Sequence, residues 1–423
     1  MGLSEDWGPR GAHLLWDDFR LRGHFQPQDF DCSTNMQPIH SGNSPFAGRQ
    51  RLMFAILLFA AMLFLAACGS GTGLDGGGLA GAGGVGGGPI EPTIVPITPT
   101  PTPPPTPTPY PSPSGVIAFV SNRTGDNDIY LLNLSRAQLR NLTQNPGDDQ
   151  QPTWSANGEY IAFSSNRDGN FEIYTIHREG GLLLRLTDDE SNDNHPAWAP
   201  NGVRLAFESF RDGNWEIYTI FADGTNLRRI TEDSAGDTHP VWSPAGGLIA
   251  FVSNRGGNAD IYTVNGDGSG LRQLTDDVAA DGDPVWSPDG RRLAFRSWRS
   301  GNADIYVMNA DGSGLLQITN MLSDEGVPVW KPDGSQIAFR SEYGGTWEVY
   351  VVNSDGSELR QLTFNSSQVG DPVWSGNGLH LAYQLDNGNN PEIYAANLDG
   401  SNYLLLTDGD GGFDGFPVWW PLP

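Results

Sequence analysis

Residues 284–295 read Pro284-Val285-Trp286-Ser287-Pro288-Asp289-Gly290-Arg291-Arg292-Leu293-Ala294-Phe295, and this string decides the fold because it returns along the chain at a fixed interval. Trp154, Trp198, Trp242, Trp286, Trp330 and Trp374 stand 44 residues apart, and Trp419 follows after 45. Each has a proline two residues before it, from Pro152 to Pro417. An apolar triplet keeps step: Ile117-Ala118-Phe119, then triplets opening at Ile161, Leu205, Ile249, Leu293, Ile337 and Leu381, the last with Tyr383 in place of phenylalanine. A fixed period of this length marks a repeat architecture.

From one tryptophan to the next the unit runs Ile-Ala-Phe-x-Ser, an Arg-x-Gly-Asn turn, an Ile-Tyr run, an Asp-Gly-Ser turn and Leu-Thr. Short β-branched and aromatic runs punctuated by Gly, Asn, Asp and Pro form a four-stranded antiparallel meander, which is one propeller blade. No stretch after residue 115 carries apolar residues at helical spacing over ten or more positions, which excludes a helical solenoid. The first copy, opening at Val116, lacks a proline-tryptophan strand, and that strand stands at the other end as Pro417-Val418-Trp419-Trp420. The expected fold is all-β: a seven-bladed β-propeller of four-stranded antiparallel blades, its ring closed by the C-terminal strand joining the first blade. Val116 to Pro423 is 308 residues, or seven times 44.

The Trp-Ser-Pro-Asp-Gly-x-x-x-Ala-Phe string and its six relatives resemble the WD-repeat-like propeller repeat of the TolB type, over residues 116–423. That resemblance implies a periplasmic, non-enzymatic protein that acts by binding other proteins. Two departures limit it: TolB has six blades and an α/β domain ahead of them, whereas this chain has seven copies preceded by low-complexity sequence. The Tol system's own partners are therefore not implied.

Upstream, Arg49 and Arg51 precede an apolar run from Met53 to Ala67 that ends in Leu65-Ala66-Ala67-Cys68. A cationic stretch, an apolar stretch and small residues make a secretory signal, too short for a spanning helix of ~20 residues. The ending resembles the lipobox of bacterial lipoproteins, which implies lipidation of Cys68 and cleavage just before it. Residues 1–67 are expected to be signal peptide and a misassigned N-terminal extension, with Met36 the better start. Residues 68–114, glycine-rich and then Thr-Pro-rich, are expected to be a lipid-anchored tether, and 115–423 the propeller. An extracytoplasmic protein held to the envelope by its lipid follows.

Fifty acidic against twenty-four basic residues give a formal charge of -26, which excludes nucleic acid as a direct partner and leaves the N-terminal lipid as the one membrane contact. The two cysteines, Cys32 and Cys68, offer neither a disulfide framework nor a cysteine metal site. No nucleophile elbow, zinc-protease motif or phosphate-binding loop is present, so no catalytic residue and no cofactor is assigned. A monomer is expected.

Three sets of repeated positions remain. The tryptophans, one per blade, are read as packing between blades rather than a ligand cage. The Asp-Gly pairs at 267, 311, 355 and 399 lack the alternating carboxylates of a calcium loop and are read as hairpin turns. Asp149, Asp193, Asp237 and Asp281 stand three residues before the proline, with Glu325, Val369 and Asp414 at the same place in the other copies; Arg123, Arg167, Arg211, Arg255 and Arg299 follow the Ala-Phe strand. The two rings should meet on one face as structural ion pairs. The position just before the proline is not uniform: Gln151, His195, His239, Asp283, Val327, Asp371 and Phe416. Such residues should surround the mouth of the central channel, and Gln151, His195, His239, Asp283 and Asp371 are the candidate ligand positions. The leading expectation is a non-catalytic scaffold binding a protein, peptide or glycan at its loop face. The alternatives are a channel-mouth enzyme such as a propeller-type polysaccharide lyase, a metal or cationic ligand on the two histidines, and a plain structural spacer.

Overall fold

The computed structural model describes residues 110–420, apart from 366, 387, 389, 402 and 408–410. The signal sequence, Cys68 and residues 68–109 of the tether lie outside the described residues. From Val116 onward the described chain is strands and turns in seven sheets. Blade 2 shows the pattern: inner strand Asp149–Trp154, second strand Tyr160–Ser165, third strand Glu172–His177 and outer strand Leu184–Arg185, paired in that order. Blade 1 is closed by the other end of the chain. Strand Asp414–Trp420 pairs antiparallel with Val116–Ser121, setting Ile117 opposite Trp419, so the ring has no open inner edge.

Alternation within the second and third strands decides the core. Phe119, Phe163, Phe207, Phe251, Phe295, Phe339 and Tyr383 are fully buried, and each faces the third-strand tyrosine of its own blade, as Phe163 faces Tyr174 with 5.8 Å between ring centroids. Four of the tryptophans stitch blade to blade, while the indole nitrogens of Trp198 and Trp242 are buried without a hydrogen-bond partner among the described residues. The indole N–H of Trp286 donates to Val241 O of the preceding blade, Trp330 to Val285 O, Trp374 to Val329 O, and Trp154 to Val418 O across the closure. Trp419 instead donates to Ser114 O at 3.0 Å. The chain ahead of blade 1 is thus laid on the propeller: Tyr110 Oη donates to Leu379 O and accepts from Leu398 N, and Pro111 O lies 2.8 Å from His380 Nε2. Tyr110, Pro111 and Ser114 stand in the tether by sequence, yet they seal the seam between blades 7 and 1.

The acid and arginine rings meet on the face formed by the second-to-third-strand loops and the blade crossings. Arg167 reaches Asp149 at 2.9 Å, Arg211 reaches Asp193 at 2.8 Å, Arg299 reaches Asp281 at 2.8 Å, and Arg255 pairs with Asp237. Arg123 pairs with Asp414 at 2.5 Å, so the same contact is used to close the ring. Each carboxylate is buried, and each guanidinium is further fixed: Arg167 Nε donates to Ser165 Oγ at 2.8 Å and its Cζ lies 4.8 Å from the Tyr174 ring.

Blade 6 departs from this scheme. Tyr343 stands where the arginine should be, and Glu325 is buried beside Asp304, with Thr319 Oγ donating to it at 2.8 Å. Burial first, and then the negative charge of Asp304, push the Glu325 carboxyl up to about 9. The inner strand also shortens to Val329–Trp330, with Glu325 held by a single bridge to Ser341. In blade 7 it splits into Gln368–Val369 and Val373–Trp374.

Removing Asp414 and all that follows takes away one strand of blade 1 and the partner of Arg123, and cooperative thermal unfolding is expected to be lost. A truncated chain with the parent's melting profile would contradict closure by this strand. The folded protein holds the Glu325 proton between roughly pH 5 and 9 while the unfolded chain releases it near its ordinary value, so this group makes stability fall as pH rises through that window. Glu325→Gln is therefore expected to stabilise the protein at pH 8 by about 1 kcal/mol or more and to change little at pH 5. Chemical denaturation at the two pH values measures this, and equal effects at both would refute the buried proton.

Candidate functional site

Just after its acid, each of the inner strands of blades 2 to 5 slips register: between Gln150 and Thr153, Asn194 and Ala197, Thr238 and Val241, and Gly282 and Val285. The bulging residue is the one before the proline, with φ of 56° at Gln151, 50° at His195, 54° at His239 and 52° at Asp283. Phe416 repeats this in the closing strand, also at 52°. Left-handed backbone is costly for a residue with a side chain, and more so ahead of proline, so these positions hold strain around the axis. Val327 and Asp371 do not share the positive φ, yet the same register slip is kept in blade 6, between Glu325 opposite Ser341 and Val329 opposite Ala338, and in blade 7.

The bulges bring neighbouring blades into contact. Gln151 Nε2 lies 3.0 Å from His195 Nε2, and the His195 and His239 rings have centroids 4.5 Å apart. The Gln151 carbonyl accepts from Ser164 Oγ at 3.0 Å and from the His195 backbone N–H at 2.8 Å, so its amide nitrogen must be the group facing the imidazole. His195 Nε2 is then an acceptor, and its Nδ1–H points at Glu208 Oε1, 2.8 Å away. The second Glu208 oxygen accepts the backbone N–H of His239 at 2.8 Å. Burial alone would raise the Glu208 carboxyl, but His195, followed by His239, outweighs it and holds it at about 2. Blades 2 to 4 thus present His195, with both ring nitrogens in hydrogen-bond contact, over an ionised Glu208.

The other side of the mouth is built from arginine. Asp283 is gripped by Arg296, whose Nε lies 2.6 Å from Oδ2, and Asp371 lies 2.8 Å from Nε of Arg340 in the preceding blade. Both guanidiniums rest on tryptophan: Arg296 Cζ is 5.0 Å from the Trp298 ring and Arg340 Cζ 4.6 Å from Trp347. Phe416, packed against Phe413, completes the ring at blade 1.

All five candidate ligand positions thus carry polar contacts at or beside the bulges. Sequence reading missed Glu208, Arg296 and Arg340. They occupy the x of Ile-Ala-Phe-x-Ser, opposite the inner strand at Asn194 and Gly282 for the first two. Across the repeats x is Val120, Ser164, Glu208, Val252, Arg296, Arg340 and Gln384, so the variation that marked the pre-proline position was visible there too. Among the described residues, no three His, Cys, Asp or Glu side chains are placed to hold a metal ion.

The sequence profile of the TolB beta propeller domain matches residues 104–195, 189–281 and 276–421. No curated protein matches the chain. Among solved structures, the oligogalacturonate lyase from Vibrio parahaemolyticus superposes with a TM-score of 0.59 at 18% identity, covering 68% of this chain and 89% of the lyase. TolB from Acinetobacter baumannii gives 0.49 at 18% identity, covering 73% of this chain and 80% of its own. A puromycin hydrolase gives 0.59 at 13% identity over 70% of this chain and 53% of that enzyme. Identities this low speak to the fold alone. With the profile matched across the repeat region and seven such blades in one ring, the chain belongs to the TolB beta propeller domain family.

Proposed function

We propose that this protein is a non-catalytic envelope lipoprotein, extracytoplasmic and held by its N-terminal lipid, whose propeller binds a protein partner, or a peptide or glycan, at the channel mouth and the loops around it. The observation that carries this reading is the contrast between scaffold and mouth. The core aromatics and the tryptophans keep their place in every repeat and the acid–arginine pair in most, while the pre-proline ring Gln151, His195, His239, Asp283, Val327, Asp371 and Phe416 and the support positions that include Glu208, Arg296 and Arg340 change residue type around the axis. A surface needed only to close a scaffold has no use for that variety. Exposed apolar side chains support the same face: Val278, Leu322 and Phe364, at 97%, 92% and 73% exposure, all stand in blade crossings beside it. The match to TolB propellers agrees with a protein partner and with a place outside the cytoplasm.

The Glu208–His195 pair gives the enzyme reading its one specific support, because a carboxylate behind an imidazole is how a general base is built. Against it, the Nε2 lone pair that a base would use already accepts the Gln151 amide. Replacing Arg296 and Arg340 together by alanine is expected to weaken retention of the partner from solubilised envelope by tenfold or more, as loss of anchoring guanidiniums at an interface does, while the melting temperature stays within a few degrees. Replacing His195 and His239 by alanine is expected to leave broad loop-face binding in place. Partner retention unchanged in the arginine variant, with turnover of a polyuronate abolished in the histidine variant, would transfer the assignment to the enzyme.

A further inference from the structure

On the loop face nearly every arginine is matched to a buried carboxylate. On the opposite face, made of the inner-to-second and third-to-outer turns, arginines instead donate to backbone carbonyls of the next blade, Arg204 to Gly266 O, Arg292 to Gly334 O and Arg360 to Leu398 O, and between blades 1 and 2 three arginines line one cleft. The cleft is open, about 140 Å³ in volume, and lined by Val116, Asn133, Arg136, Arg140, Arg178 and Glu179, among others. Arg140 donates only to backbone carbonyls, those of Arg178 and of Glu179, the latter at 2.8 Å. Among the described residues no carboxylate stands within ion-pair distance of Arg136 or Arg140. Arg178 has only its neighbour Glu179, at 3.4 Å with the glutamate 70% exposed, a surface pair of little strength. The Arg178 guanidinium is braced from behind, its Cζ 5.0 Å from the Trp420 ring. Three arginines thus line one cleft with at most one screened negative charge, in a chain whose acids outnumber its bases by fifty to twenty-four.

We propose that this cleft is a second ligand site, separate from the channel mouth, and that it takes a phosphate group. A single planar carboxylate is saturated by one guanidinium fork, whereas arginines arriving from two blades at different angles suit a tetrahedral dianion that accepts from several directions. The residues entering blade 1, Tyr110 to Ser114, cross this same face, with Ser114 bonded to Trp419 beside Val116 and Trp420. The phosphate therefore comes either as a free ester or as a lipid headgroup met where the chain enters, and the recognition chemistry is the same.

The test compares the full chain with Arg136→Gln/Arg178→Gln, and with Arg136→Glu alone as a variant whose exposed side chain braces nothing. Calorimetric titration with inorganic phosphate at low salt, and flotation on phosphatidylglycerol against phosphatidylcholine vesicles, read the two sources. Any N-terminal anchor is common to all three proteins, so only the difference between them counts. Saturable phosphate binding by the parent, weakened at least tenfold in both variants with circular dichroism unchanged, is the expected result. A phosphatidylglycerol preference lost in the variants would assign the headgroup, and its absence beside phosphate binding would assign a free ester. No phosphate binding and no lipid preference at millimolar concentration, or binding that both variants retain, would overturn the proposal.

Discussion

A buried carboxylate stands at the head of the inner strand in six of the seven blades, and the molecule is organised around neutralising it. An unpaired carboxylate in such a place costs several kcal/mol, so the serine that ends the second strand, the arginine two residues later and the tyrosine of the third strand are all drawn to the same spot. Their sharing of one guanidinium fixes the second-to-third loop over the inner strand of its own blade. Arg123 and Asp414 use the same assembly to join the two ends of the chain. The requirement that stiffens one blade is thus the one that closes the ring, and where it is unmet, at Glu325, the protein holds a proton instead.

Above this ring the inner strand bulges, and there the repeat ceases to constrain the side chain. Left-handed backbone before a proline is strained, yet it recurs at Gln151, His195, His239, Asp283 and Phe416, and the register slip beside it sends these residues toward one another around the axis. The result is a mouth with two chemistries. One side holds an imidazole, an ionised carboxylate and an amide in a single hydrogen-bonded chain; the other holds two guanidiniums backed by tryptophan and paired with Asp283 and Asp371. Polar groups tied to each other in this way are presented rigidly, which lowers the ordering cost of binding.

Much of the fold was legible because the residues that make it are locked to the period. The tryptophan spacing, the Ala-Phe triplet and the stray Pro417–Trp420 strand each mapped directly onto an inner strand, a core strand and the closure. Asp149 and Arg167 were placed together because the meander puts their loops on one face. Glu208, Arg296 and Arg340 were not read, since each sits within an otherwise apolar strand and a single variable position there looks like tolerance. The bulge was hidden for another reason: proline after a variable residue signals extended backbone by local rules, and only the ring of neighbours forces the left-handed alternative. Docking of Tyr110, Pro111 and Ser114 was masked by the proline-rich composition around them.

The central claim is that the channel mouth and its surrounding loops are where the protein meets its partner. Hydrogen–deuterium exchange of the full chain, with and without solubilised envelope proteins of its source cell, addresses it directly. Slowed exchange in the bulged segments at Gln151, His195, His239 and Asp283, and in the crossings that carry Val278 and Leu322, is the predicted result. Protection confined to the turn face or to the outer strands, with the mouth unchanged, would contradict the account.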